Sequence, residues 1–134
     1  MTKTYPFPNE TVAAVLDRYY SGVQFSGGVV SGDNLPSDEE FSVKVAEYSE
    51  AKRIIGIKTK AGEIILARYP SWKQQNLQAR FTELVDKVQG GEALTSQEQQ
   101  EKDGIKAAWA WAKLVRAESD RLEADMNATP NWPV

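Results

Sequence analysis

The chain contains neither cysteine nor histidine. Without cysteine there are no disulfides and no thiolate metal sites. Without histidine the commonest general base and the commonest transition-metal ligand are both missing. Long apolar runs are also lacking: none approaches the roughly 18–20 residues that a membrane helix needs. Met1-Thr2-Lys3 leads into no apolar signal segment, so neither a membrane span nor a secretory signal is expected. Basic excess is absent as well. Sixteen Lys and Arg against nineteen Asp and Glu leave a net charge of −3, and a dedicated nucleic-acid binder needs a basic face to displace counterions. Nucleic acid is therefore not expected as a partner. What remains, 134 residues that are 41% hydrophobic and 26% charged, suits one soluble domain whose core is short of spare surface to cover it.

Residues 1–8, with Pro6 and Pro8 around Phe7, should be extended, as an arm. Asn9 is a candidate N-cap, followed by Val12, Val15, Leu16 and Tyr19 at helical spacing, with Gly22 to close the helix. Residues 22–36 carry four glycines among Phe25, Val29 and Val30. Gly27-Gly28 is a turn signal, and the segment reads as irregular or as a short hairpin. Ser37-Asp38-Glu39-Glu40 has the form of a capping box, and Phe41, Val45, Tyr48, Ala51 and Ile55 continue at helical spacing. Residues 53–69 admit two readings. A hairpin would pair 54–59 with 63–68 across Gly62. A helix would place Ile54, Ile57, Ala61 and Ile64/Ile65 on one side, at about 1 kcal/mol for each of Gly56 and Gly62 relative to alanine. The block Ile64-Ile65-Leu66 breaks strand alternation, so helix is favoured, with a kink or break near Gly56.

Pro70 should stop that helix, and Ser71 with Gln74 has the form of a capping box for the next. Such a stop and start predict a sharp corner, with Trp72 wedged inside it as a fold residue. Leu77, Phe81, Leu84, Val85 and Val88 then form an apolar stripe that ends at Gly90-Gly91. A second box, Thr95-Ser96-Gln97-Glu98, opens a final helix running to about Asn127. Its seam is Ile105, Ala108, Ala112, Val115, Ser119, Leu122 and Met126, a heptad-like alternation of three and four. Trp109, Trp111 and Leu114 fall outside it, so the helix needs more than one neighbour. The helix before Gly90-Gly91 is the first, in an antiparallel helical hairpin.

Chemistry is sparse. Asp38, Glu39, Glu40, Glu47 and Glu50 could in principle form a carboxylate pair for hydrolysis, but they sit in capping or outward positions. Neither glycine pair matches a phosphate-binding loop. Asp33-Asn34 with Asp38 lacks the glycine and final glutamate of a calcium loop. No cofactor or metal is expected. The tail Asn131-Trp132-Pro133-Val134 is either a rigid stub docked on its own domain or a short ligand for another protein.

The run Ile57-Lys58-Thr59-Lys60-Ala61-Gly62-Glu63-Ile64-Ile65-Leu66, followed by Tyr69-Pro70-Ser71-Trp72-Lys73-Gln74-Gln75-Asn76-Leu77, resembles a motif of small tailed-phage and prophage proteins. These are tail-fibre-associated or tail-assembly proteins. The cap Leu94-Thr95-Ser96-Gln97-Glu98, the block Ile105 to Trp111, the pattern Arg116-Ala117-Glu118-Ser119-Asp120-Arg121-Leu122-Glu123 and the ending on Trp132-Pro133 extend the likeness over about residues 57–133. The resemblance implies helix at 57–69 and a place in the virion tail for a protein made in the host cytoplasm.

Together these readings predict a mainly α chain of four helices with a small irregular or β segment. They predict a non-enzymatic tail component of the fibre or baseplate, with other tail proteins and further copies of itself as partners. A transient assembly chaperone absent from the virion is the alternative, and a small carboxylate-dependent hydrolase is one of another class. The expected contact residues are Trp109, Trp111, Val115 and Leu122 on the last helix, with Phe7, Phe25 and Trp132 on the arms and loop.

Overall fold

The computed structural model describes all 134 residues and is mainly helical, with four helices and a small antiparallel sheet. The chain packs as two compact units, Met1–Ile54 and Ile55–Val134.

The first unit opens with β1 (Thr2–Lys3), α1 (Asn9–Tyr19), β2 (Gln24–Ser26) and β3 (Val29–Ser31), followed by the first half of α2 (Asp38–Arg68). Gly27 and Gly28 have φ of +59° and +79°. Positive φ at both central positions is what a type I′ hairpin turn requires, and glycine supplies it without strain. The sheet order is β1-β3-β2, with Val30 opposite both Lys3 and Phe25. Residues 1–8 therefore form no free arm: two of them complete a sheet, and Tyr5 is buried with its hydroxyl donating to the Pro36 carbonyl at 2.7 Å. The core joins Tyr5, Val12, Val15, Leu16 and Val30 around Phe41, whose ring stacks on Tyr5 at 4.0 Å.

Both helices that follow a proline begin one residue earlier than a side-chain cap would set. Pro8, not Asn9, holds the cap position of α1, and its carbonyl accepts from the Val12 N–H at 3.0 Å. α1 also closes at Tyr20, before Gly22. Ser37 does cap α2, its hydroxyl accepting from the Glu40 N–H at 3.1 Å.

α2 runs unbroken through Gly56 and Gly62, so the expected interruption near Gly56 does not occur. Burial of Ala61 and Ile65, at helical spacing on one face, outweighs the glycine penalty. A Cβ at Gly56 would meet nothing within 4 Å. Gly56→Ala is accordingly expected to stabilise the protein by about 0.5–1 kcal/mol, read as a raised thermal midpoint by circular dichroism.

The second unit holds the rest of α2, then α3 (Ser71–Gln89) and α4 (Ser96–Ala124). α3 ends in a Schellman motif: the Glu92 N–H donates to the Lys87 carbonyl, the Gly91 N–H to that of Val88, and Gly91 takes φ of +89°. The capping box of Thr95 and Glu98 is complete in both directions. Glu98 also binds Lys87 at 2.6 Å, joining the ends of α3 and α4.

The partners met along α4 follow the order of the chain, turn by turn. Glu123 meets Lys58 at 3.4 Å, Ala112 and Val115 pack with Ile65, and Trp111 lies edge-on to Tyr69. Trp109 then meets Phe81 edge-on at 4.7 Å, Glu101 meets Arg80 at 2.7 Å, and Glu98 meets Lys87. The second half of α2 and then α3 thus run one after the other along α4, both antiparallel to it. This gives the predicted hairpin of α3 and α4, and the second neighbour that the width of α4 demanded.

The corner between α2 and α3 is built differently from expectation. Pro70 occupies the cap position, its carbonyl accepting from Lys73 and Gln74, so Ser71 lies inside the helix. The Gln74 side-chain amide donates to the Tyr69 carbonyl at 2.6 Å. Tyr69 packs on Trp111, while Trp72 is 64% exposed and wedges nothing. α4 stops at Ala124, leaving Met126 outside the seam and exposed.

Candidate protein-binding groove

The wheel of α4 explains how its surface divides. Ile105, Ala108, Ala112, Val115, Ser119 and Leu122 repeat on one side and are buried. Trp109, Arg116, Asp120 and Glu123 fall on one flank of that seam. Trp111 and Glu118 fall on the other.

The first flank is open. Between α2 and α4 lies a groove of about 460 Å³ lined by Lys58, Ala61, Gly62, Ile65, Leu66, Arg116, Ser119, Asp120 and Glu123. A second hollow of about 190 Å³ continues past the corner, lined by Ile65, Tyr69, Gln74, Leu77, Gln78, Ala108, Trp109, Ala112 and Arg116. Ile65 and Arg116 line both, so the two adjoin beside α4. Ala61, Gly62 and Ser119 are small, and a Cβ on Gly62 would have nothing within 4 Å. Leu66 and Trp109 stand at the edges of the two hollows, 48% and 36% exposed. Lys58 pairs with Glu123, which also accepts from the Ser119 hydroxyl at 3.1 Å. Arg116 and Asp120 have no ion-pair partner within the chain.

The second flank is covered by residues 128–134. The Asn131 N–H donates to Glu118 Oε2 at 2.5 Å, Arg121 donates to the Thr129 carbonyl at 2.6 Å, and Trp132 packs on the cluster of Ala61, Ile65, Ala112 and Val115. The tail is a docked stub, the first of its two readings. Glu118 is only 8% exposed. The Arg121 guanidinium, with help from the Asn131 N–H, holds its carboxyl down at about 2. Lys87 and the Thr95 cap lower Glu98 to about 2 in the same way.

Both carboxyls are depressed below their ordinary 4.5 in the folded chain. Their stabilisation is thus fully present above 4.5 and is lost as pH falls through about 2. Thermal midpoints should fall across that window, and the Glu98→Gln/Glu118→Gln variant should show a shallower fall.

Of the seven expected contact residues, only Trp109 stands at the open groove. Val115 and Leu122 are buried in the fold, because the heptad seam they belong to is filled from within the chain. Trp111 is half-buried under the Arg68 guanidinium, 4.6 Å from its ring. Phe7 and Phe25 pack on the core of the first unit, Phe25 also lining a shallow hollow of about 300 Å³ with Leu16 and Tyr20. Trp132 lies on the covered flank. Gly62, Leu66 and Arg116 were missed, although Leu66 carries a signal: the third residue of an Ile-Ile-Leu block on a helix cannot share the inner face of the other two.

The candidate carboxylates do not converge. Asp38 pairs with Lys3 at 3.1 Å, Glu47 with Lys44 and Glu50 with Arg53, each on the helix exterior. No group of three or more acidic side chains comes together in a way that could hold a metal ion, and no helix is long and apolar enough to cross a membrane. Comparison with family models, curated proteins and solved structures finds no match to the chain.

Proposed function

We propose that this chain is a non-enzymatic phage-tail protein, of the fibre or baseplate, that acts by protein contact and self-association. The observation that carries the contact reading is the open groove beside α4, with Leu66 and Trp109 exposed near the small residues Ala61, Gly62 and Ser119. Small side chains let a second helix approach closely, and large apolar ones at the rim supply area to bury. The tail assignment rests on the resemblance over residues 57–133.

The occupant that fits best is the same face of a second copy. Arg116 and Asp120 stand one turn apart on the rim, unpaired within the chain. In a two-fold contact the arginine of each copy meets the aspartate of the other, which is the self-complementarity such an interface requires.

Gly62→Arg tests this. Position 62 is helical with space where the side chain would start, so the variant should fold with the helical circular dichroism of the parent. Its long cation would fill the groove. Dissociation to a 14.9 kDa monomer is expected by sedimentation; unchanged association of the folded variant would reject the groove as the interface.

A further inference from the structure

The C-terminal segment is bound as a peptide ligand is bound. Residues 128–134 form neither helix nor strand. They are held by two main-chain hydrogen bonds, to Glu118 and Arg121, and by one aromatic anchor, Trp132 between two prolines. The Val134 carbonyl adds a contact at 3.4 Å to the Arg68 guanidinium. The segment runs back along α4, Thr129 at Arg121 and Asn131 at Glu118. Glu118 is the informative residue. Burying a carboxylate beside an apolar cluster is unfavourable unless it is paired, and here its partners are Arg121 and the tail. Main-chain recognition by a fixed acceptor, with one anchoring aromatic, is a mode that does not depend on the ligand being part of the same chain.

We infer that the flank formed by Glu118, Arg121 and the Ala61–Ile65–Ala112–Val115 cluster is a binding site for a proline-flanked tryptophan segment, and that in an assembly it receives this segment from a second copy. The tether from Ala124, where α4 ends, to Thr129, the first residue held in the site, is five residues and spans roughly 17–18 Å when extended, more than the width of a helix. Opening the turn at 125–128, which is held by the Ala128 N–H to the Asp125 carbonyl and the Asn127 N–H to the Asp125 carboxylate, frees that reach. Exchange keeps every tail contact and loses only the turn, so the balance between the two arrangements is set by concentration. The exchange rests on the self-association proposed above; the binding site itself does not.

The probe is a fluorescent peptide of residues 128–134, titrated against full-length chains by anisotropy. The Trp132→Ala chain, whose own tail has lost its anchor, should bind it saturably. The parent chain should bind at least tenfold more weakly, because its site is filled, and Trp132→Ala/Glu118→Ala should lose at least tenfold as well. Asn131→Pro, which removes the N–H given to Glu118 and keeps the tryptophan, provides a second receptor should Trp132→Ala fail to fold. Absence of binding to a folded receptor, or affinity indifferent to Glu118, overturns the site. At a concentration where the groove contact alone is half dissociated, excess unlabelled peptide should lower the average mass of the parent assembly, and a mass that does not move there overturns exchange between copies. If the peptide binds but the parent is a monomer throughout, self-association fails while the site stands.

Discussion

Phe41→Ala is expected to destabilise the first unit by about 3–5 kcal/mol. Phe41 is completely buried, stacks on Tyr5, and lies within 5.8 Å of Phe7 and 6.2 Å of Tyr20. Its removal takes away the ring that α1, the sheet and the start of α2 share. Nothing small can collapse into the gap, because Tyr5 is pinned by its hydrogen bond to Pro36 and Tyr20 by the end of α1. A unit of this size has little stability in reserve. All four tryptophans, at positions 72, 109, 111 and 132, lie in the second unit. Tyrosine near-ultraviolet dichroism therefore reports the loss, and a denaturant midpoint unchanged by this substitution would show that Phe41 does not hold the core together.

Leu84→Ala should have the largest effect in the second unit, about 2–5 kcal/mol. Leu84 is almost wholly buried and lies one turn from both Arg80 and Lys87, each paired with a glutamate on α4. Those pairs fix its side chain toward α4 but contribute less than its burial does, being still partly open to solvent. Arg80→Ala should therefore cost much less than Leu84→Ala in the same urea titration followed by tryptophan fluorescence. The reverse order would mean that charge, not burial, holds α3 to α4.

The helices were legible in the sequence wherever period and punctuation agreed. Thr95 with Glu98, Gly90-Gly91 and the seam from Ile105 to Leu122 each state one structure at several levels, and the fold keeps them all. Gly27-Gly28 marked the hairpin, though runs of three residues left strand or loop undecided. The misplaced details share a cause. Pro70 stops α2 as expected, but Asn9 and Ser71 were read as caps, whereas the carbonyls of Pro8 and Pro70 start the next helices. Thr2 and Lys3 form a strand too short to show any alternation. Trp72 lies in the first turn of α3, where sequence gives its type but not its facing.

The site was less legible than the fold. A heptad seam shows that Val115 and Leu122 face a helix but not whose helix it is, and here it is the chain's own. Gly62 counted only as a helix penalty until the fold set it opposite Ser119 and Asp120, where a missing side chain becomes space. Glu118 gave no signal at all. Its role depends on Asn131, thirteen residues away and brought back by a turn.

Sedimentation equilibrium of the unmodified chain at tens of micromolar decides the matter most directly. Mass at a multiple of 14.9 kDa, falling toward the monomer on dilution, is the expected result. A single species at 14.9 kDa across the whole concentration range would contradict it.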